Sequence, residues 1–126
     1  MTELNSITAE IVHAALRLHK ALGPGLLESI YETVLARDLA RHGLMVERQK
    51  PISFDFEGLW FDNAFRLDLL VNNAVIVEVK SLPALALTHE KQLLTYLRLG
   101  RYPLGLLLNF GAPLMKDGIR RLILRL

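Results

Sequence analysis

The fifteen residues from Arg66 to Lys80 constrain this chain more than any other stretch. They read Arg66-Leu-Asp-Leu-Leu-Val-Asn-Asn-Ala-Val-Ile-Val-Glu-Val-Lys80. Two apolar segments flank an Asn-Asn pair, the pattern of two strands joined by a tight turn. Asp68, Glu78 and Lys80 interrupt them where a strand between packed layers would carry Val or Ile. Taking charge out of water is costly, so such residues rarely enter these strands unless something pairs with them. The chain must therefore fold so that these three charges meet each other, solvent or an ion.

The turn decides which of them meet. Side chains alternate between the two faces of a strand. A two-residue turn at Asn72-Asn73 would set Asp68 opposite Val77, on the face away from Glu78 and Lys80. One more residue in the turn brings Asp68 opposite Glu78. One face then reads Phe65, Leu67, Leu69, Val71, Val75, Val77, Val79. The other reads Arg66, Asp68, Leu70, Ile76, Glu78, Lys80. Burial favours this second register, and Asn73 tolerates the left-handed backbone that a three-residue loop needs. The expectation is that Asp68 and Glu78 share a face.

Two carboxylates a few ångströms apart repel, and each makes the other's ionisation costly. A divalent cation relieves this. Oxygen ligands alone suit Mg²⁺, Mn²⁺ or Ca²⁺ rather than zinc. A metal held there can polarise a phosphoryl oxygen and acidify water. Lys80, two residues from Glu78 and on its face, could position that water or offset charge in the transition state. The plainer alternative is an ion-pair cluster of Asp68 and Glu78 with Arg66 and Lys80 at a strand end. Spacing alone leaves both open.

The remaining elements follow from periodicity. Ile7, Ile11, Ala14, Leu18 and Leu22 predict a helix over about residues 6–21, capped by Asn5 or Ser6 and broken by Gly23-Pro24-Gly25. A second helix runs from near Leu26 to about His42, with Ile30, Val34, Leu35 and Leu39 inward. Strands follow over Val46–Phe56, Trp60–Val71 and Val75–Lys80. A helix is expected over Thr88–Leu99, then strands over Leu104–Phe110 and Ile119–Leu126. The order predicts one mixed α/β domain, residues 1–126, with an antiparallel central hairpin.

Composition narrows the function. There is no cysteine, which excludes disulfides, thiolate nucleophiles and cysteine zinc sites. The first residues lack the pattern of a signal peptide, and no apolar run is long enough for a membrane span. A cytoplasmic protein without membrane contact is expected. A net charge of +2 says little about nucleic acid. The basic stretch Lys116–Arg125 reads more simply as a charged edge strand. His13, His19, His42 and His89 show no metal-ligand spacing, and His19 reads as a helix-surface residue. Gly23-Pro24-Gly25 follows a helix, so it is no dinucleotide fingerprint.

Asp68 followed by Glu78-Val79-Lys80 on the next strand resembles the PD-(D/E)XK nuclease superfamily. Gly25-Leu-Leu-Glu28-Ser-Ile-Tyr31 is similar to the Gly-x-x-Glu-x-x-Tyr pattern of the GxxExxY family within it. Gln92-Leu-Leu-Thr-Tyr96 resembles the Gln-x-x-x-Tyr motif of RecB-like exonucleases, and the stretch Leu104 to Ile119, with Asn109-Phe-Gly-Ala-Pro-Leu-Met-Lys-Asp-Gly118, resembles the family's tail. One departure is that Leu67, not proline, precedes Asp68. The resemblance implies a restriction-endonuclease-like αβββαβ core with a mixed central sheet flanked by helices. It implies Asp68, Glu78 and the Val79 carbonyl as metal ligands, with Glu28 extending the site, and Mg²⁺ or Mn²⁺ as the ion. Lys80 would be the catalytic lysine, and Gln92 and Tyr96 would line the site. Without the resemblance, Glu28 reads as a helix-dipole partner, Tyr31 as a half-buried aromatic, and Gln92 and Tyr96 as a polar helix stripe.

The expected function is a metal-dependent nuclease acting on DNA or RNA. The competing expectation is an inactive nuclease-fold module that binds nucleic acid or protein. A homodimer would supply binding surface that so short a chain lacks.

Overall fold

The structure, a computed structural model, describes residues 2–125. Helices α1 (Thr2–Leu22) and α2 (Glu28–Arg41) precede strands β1 (Val46–Phe56), β2 (Leu59–Val71) and β3 (Val75–Lys80). Helix α3 (Leu87–Gly100), strand β4 (Leu104–Asn109), a 3₁₀ turn at Met115–Gly118 and strand β5 (Ile119–Ile123) complete the chain. The five strands lie side by side in sequence order. Only β3 and β4 run parallel, joined by the α3 crossover; every other neighbouring pair is antiparallel. This is the mixed αβββαβ core expected from the resemblance. No helix among the described residues is long and apolar enough to cross a membrane.

Two apolar layers fix the sheet between the helices. On one face Leu69, Val71, Val75, Val77 and Val79 pack with Ile7, Ile11, Tyr31, Leu35 and Leu39 of α1 and α2. On the other, Leu67, Leu70, Ile76 and Leu107 pack with Leu93 and Leu97 of α3. Gly105 allows α3 to lie this close: a Cβ there would sit 2.9 Å from a Leu93 methyl. A strand bearing apolar side chains on both faces is what two-sided burial demands.

Several sequence expectations need correction. Helix α1 starts at Thr2 and is not capped by Asn5 or Ser6, because Leu4 extends the apolar stripe one turn upstream of Ile7. Leu22, at its far end, is exposed. Helix α2 starts at Glu28 and presents Tyr31, Glu32, Leu35, Ala36 and Leu39 to the core. Ile30, expected inward, is 40% exposed. The buried face is thus rotated by about one residue, which brings a carboxylate, Glu32, inside.

The hairpin register is the expected one. Leu69 pairs with Val77 and Val71 with Val75, which leaves Asn72-Asn73-Ala74 as a three-residue loop. Asn72 and Asn73 both adopt left-handed backbone, φ 51° and 52°. The face assignment fails further out. Leu67 joins the α3 cluster with Leu70, and Phe65 stacks on Tyr96 of α3 at 4.3 Å. Strict alternation would have put both with Leu69. The strand changes face at Asp68.

Candidate active site

The change of face has a partner across the sheet. β1 pairs with β2 through Arg48–Leu69 and Lys50–Leu67, but Gln49 and Asp68 between them form no pair. Gln49 has φ +50° inside the strand. On the other side of β2, pairing with β3 stops at Leu69–Val77. Asp68 therefore sits where the ladder is open on both sides.

Carboxylates fill the opening. The Asp68 N–H donates to Glu78 Oε2 at 2.9 Å, and the Val79 N–H donates to Asp68 Oδ2 at 2.8 Å. Each side chain thus replaces a backbone acceptor that a regular ladder would supply. Glu78 is 5% exposed. Burial holds it far above the usual carboxylate range, to about 8, and the neighbouring Asp68 charge adds to this. Asp68 is also raised, chiefly by burial, against the opposing hydrogen bond from Val79. Glu32 pushes both carboxylates upward and Lys80 pulls both down.

Among the described residues, no Lys or Arg nitrogen lies within 4.0 Å of Asp68 or Glu78. The ion-pair cluster with Arg66 and Lys80 is therefore not formed, and Arg66 is exposed. The pair keeps a like-charge conflict that no direct salt bridge resolves. Hard oxygen donors in that state suit a divalent cation. Val79 offers one more. Its N–H points to β2, and in an extended strand the C=O lies on the same side, so this carbonyl faces the opening too. Two carboxylates and one carbonyl fit an oxygen-liganded ion. No three His, Cys, Asp or Glu side chains gather tightly enough to form a cage among the described residues.

The structure does not bring every expected residue to the pair. Lys80 closes β3 beside it, half-buried. Tyr96 lies close enough that burial and the charges of Glu78 and Asp68 raise its hydroxyl. Gln92 is exposed on α3, and its side chain makes no hydrogen bond among the described residues. Glu28, the first residue of α2, accepts from the Ser81 N–H at 3.2 Å and is not gathered with Asp68 and Glu78. It lines an open cleft of about 710 Å³ with Pro24, Leu27, Leu82, Pro83 and Pro113.

Tyr31 is fully buried, not half-buried. Its hydroxyl donates to the Gly23 carbonyl and accepts from the Leu26 N–H, and its ring stacks on Phe110. It thereby fixes the loop that leads into Glu28. His19 is buried and bonded to the Ala112 carbonyl at 2.8 Å, which corrects its reading as a surface residue. Asn109 clamps the loop after β3 through the Leu82 N–H and C=O.

Sequence reasoning missed Glu32 and Gln49. Glu32 Oε2 accepts from Arg48 Nε and Nη2 at 3.2 and 3.1 Å. Gln49 Nε2 donates to Glu32 Oε1 at 2.7 Å and toward Asp68 Oδ1 at 3.4 Å. A signal was present: Glu32 follows Glu28 at helical spacing and Tyr31 directly.

The family model described as the PD-(D/E)XK nuclease superfamily matches residues 5–122, almost the whole chain. Neither the curated proteins nor the solved structures yield a match.

Proposed function

The chain belongs to the PD-(D/E)XK nuclease superfamily, and from that premise we propose that it hydrolyses phosphodiester bonds of nucleic acid with a divalent metal, Mg²⁺ or Mn²⁺. The observation that carries this is the Asp68–Glu78 pair, with Glu78 buried, whose mutual repulsion no Lys or Arg among the described residues relieves at close range. Asp68, Glu78 and the Val79 carbonyl would hold the ion. Glu28 would join only by giving up its bond from Ser81.

When bound, the metal would polarise a phosphoryl oxygen and make water a better nucleophile. The other roles fall to side chains. Lys80, a point charge at the strand end, would offset the charge that builds on the phosphate in the transition state. Tyr96, held flat against Phe65, would orient the substrate or the water. Gln92, one turn earlier on α3, would have to swing inward and is assigned to substrate contact. The apolar cleft beside Glu28 offers room for the flanking strand. The motif Gly25–Tyr31 supports placement in the GxxExxY family, since Tyr31 ties Gly23 to Leu26 and Gly25 takes φ +102° in the loop that leads to Glu28.

The test incubates the protein with Mg²⁺ or Mn²⁺ and labelled DNA and RNA, single- and double-stranded. Metal-dependent cleavage lost in Lys80→Ala and Glu78→Ala is the expected result. Cleavage that survives both substitutions overturns the assignment. Metal binding without cleavage of any substrate supports a binding module instead.

A further inference from the structure

Gln49 occupies a position that its backbone disfavours. It is a non-glycine residue with φ +50° in the middle of an eleven-residue strand. Left-handed backbone is strained for an L-residue because Cβ crowds the following carbonyl oxygen. The pairs on either side keep one register, Arg48–Leu69 and Lys50–Leu67, so no residue has been inserted. The chain bends at this one residue and resumes. Such strain persists only where the surroundings hold it.

The holding group is identifiable. Gln49 Nε2 lies 2.7 Å from Glu32 Oε1. Glu32 is 7% exposed and comes from α2, and its second oxygen is gripped by the Arg48 guanidinium. Arg48 also donates to Thr33 Oγ1 at 2.9 Å, which fixes it to the same helix. Gln49 Nε2 then reaches Asp68 Oδ1 at 3.4 Å, a long bond. Both neighbours are carboxylates, which only accept when ionised. The amide must therefore turn its NH₂, not its oxygen, toward them. Without that donor, two negative groups would face each other across the open ladder.

We propose that Gln49, seated by Glu32 and Arg48, is a positioning residue that orients the Asp68 carboxylate and so sets the affinity of the Asp68–Glu78 pair for a divalent cation. This rests on the metal role proposed for that pair. Asp68 Oδ2 is pinned by the Val79 N–H, so Oδ1 is the oxygen left to turn. The long Gln49 bond limits that turn while leaving the oxygen able to take a cation. Groups of this kind, one shell away from a metal, typically change affinity by about 10–100-fold when removed.

Gln49→Gly separates positioning from mere structural support. Glycine accepts φ +50° without strain, and this offsets part of the cost of leaving Glu32 Oε1 without its donor, so the variant should keep a cooperative melt. Mn²⁺ affinity, read by calorimetry and by electron paramagnetic resonance, should nonetheless fall by about tenfold. Gln49→Met, which keeps the side chain's bulk but not its donor, should show the same loss. Glu78→Gln serves as the control that removes a ligand. If wild type binds Mn²⁺, Glu78→Gln does not, and both Gln49 variants bind within twofold of wild type, the proposal fails while the metal site stands. If wild type binds no Mn²⁺, or binds it equally after Glu78→Gln, both readings fail together.

Discussion

From Leu69 to Val71 and from Val75 to Val77, the β2–β3 hairpin is an ordinary antiparallel ladder between two apolar layers. One residue further out, the same two strands no longer pair, and carboxylates take the Asp68 and Val79 N–H groups. The contrast shows how a sheet can hold buried charge. In a regular ladder the backbone donors are already used, so a carboxylate there would be buried unpaired. Opening the ladder by one step releases donors at the place where two carboxylates arrive. Hydrogen bonding is satisfied, but the repulsion between the carboxylates is not, and Glu78 carries the sign of it.

Lys80→Ala should break the function of the open end most severely. The positive charge that acts on both carboxylates would be gone from the end of β3 while the ladder behind it stays intact. Cleavage should fall by about 10²–10³-fold, with a melting temperature close to wild type. Single-turnover rates with saturating Mg²⁺ would check this. A loss that appears only in substrate affinity would move Lys80 from the reacting phosphate to the strand's periphery.

The pH dependence of stability sharpens the same contrast. Glu78 titrates near 4.5 when unfolded and at about 8 when folded. The folded protein holds the proton more tightly, so its stability is full below about 4.5 and declines as the pH rises toward 8. Raised Asp68 acts in the same direction. Urea unfolding with EDTA should show stability falling across this window, by up to roughly 1.4 kcal/mol for each pH unit. Glu78→Gln should remove most of the slope and be the more stable protein at pH 8. A flat wild-type profile would mean that the pair is better solvated than its burial indicates.

At the closed end the signs reverse. Val75 is fully buried among α1, α2 and the sheet. Val75→Ala should cost about 1.5–3 kcal/mol at every pH between 5 and 8, with cleavage per folded molecule unchanged. Opposite outcomes for neighbouring positions on one strand would establish that β3 divides its work at Val77.

The element order, the three-residue loop and the Leu69–Val77 register were legible because each rests on a pattern with one physical reading. Apolar alternation, Asn at left-handed positions and the demand to bury Val all point the same way. The change of face at Asp68 was not legible. Gln49 and Asp68 are polar, so they suit either face, and nothing in the pattern marks a pleat that reverses there. That hid the placement of Phe65 and Leu67 and, with it, the role of Gln49. Helix α2 misled for a different reason. Ile30, Val34, Leu35 and Leu39 make as good a stripe as Tyr31, Leu35 and Leu39, and the tertiary contacts of Tyr31, with Phe110 and with the loop before α2, choose between them. The second stripe carries Glu32 inward. Both missed residues belong to the open end, where tertiary contacts override the local pattern.

The smallest expected effect concerns Tyr31, which shares a motif with Glu28 but not its place. The tyrosine is fully buried, its ring lies 4.5 Å from that of Phe110, and its hydroxyl serves the Gly23 carbonyl and the Leu26 N–H. Nothing in this arrangement reaches Asp68 or Glu78. Tyr31→Phe keeps the stack and removes only the hydroxyl, so stability should drop by about 1–2 kcal/mol through the two backbone groups left behind. The loop before α2 would then loosen, and Glu28 with it. If Glu28 takes part in holding metal, Mn²⁺ affinity should fall slightly in Tyr31→Phe and no further in a Tyr31→Phe, Glu28→Gln double variant than in Glu28→Gln alone. Additive losses would mean that the two motif residues act separately, with Tyr31 supporting the fold and Glu28 acting on its own.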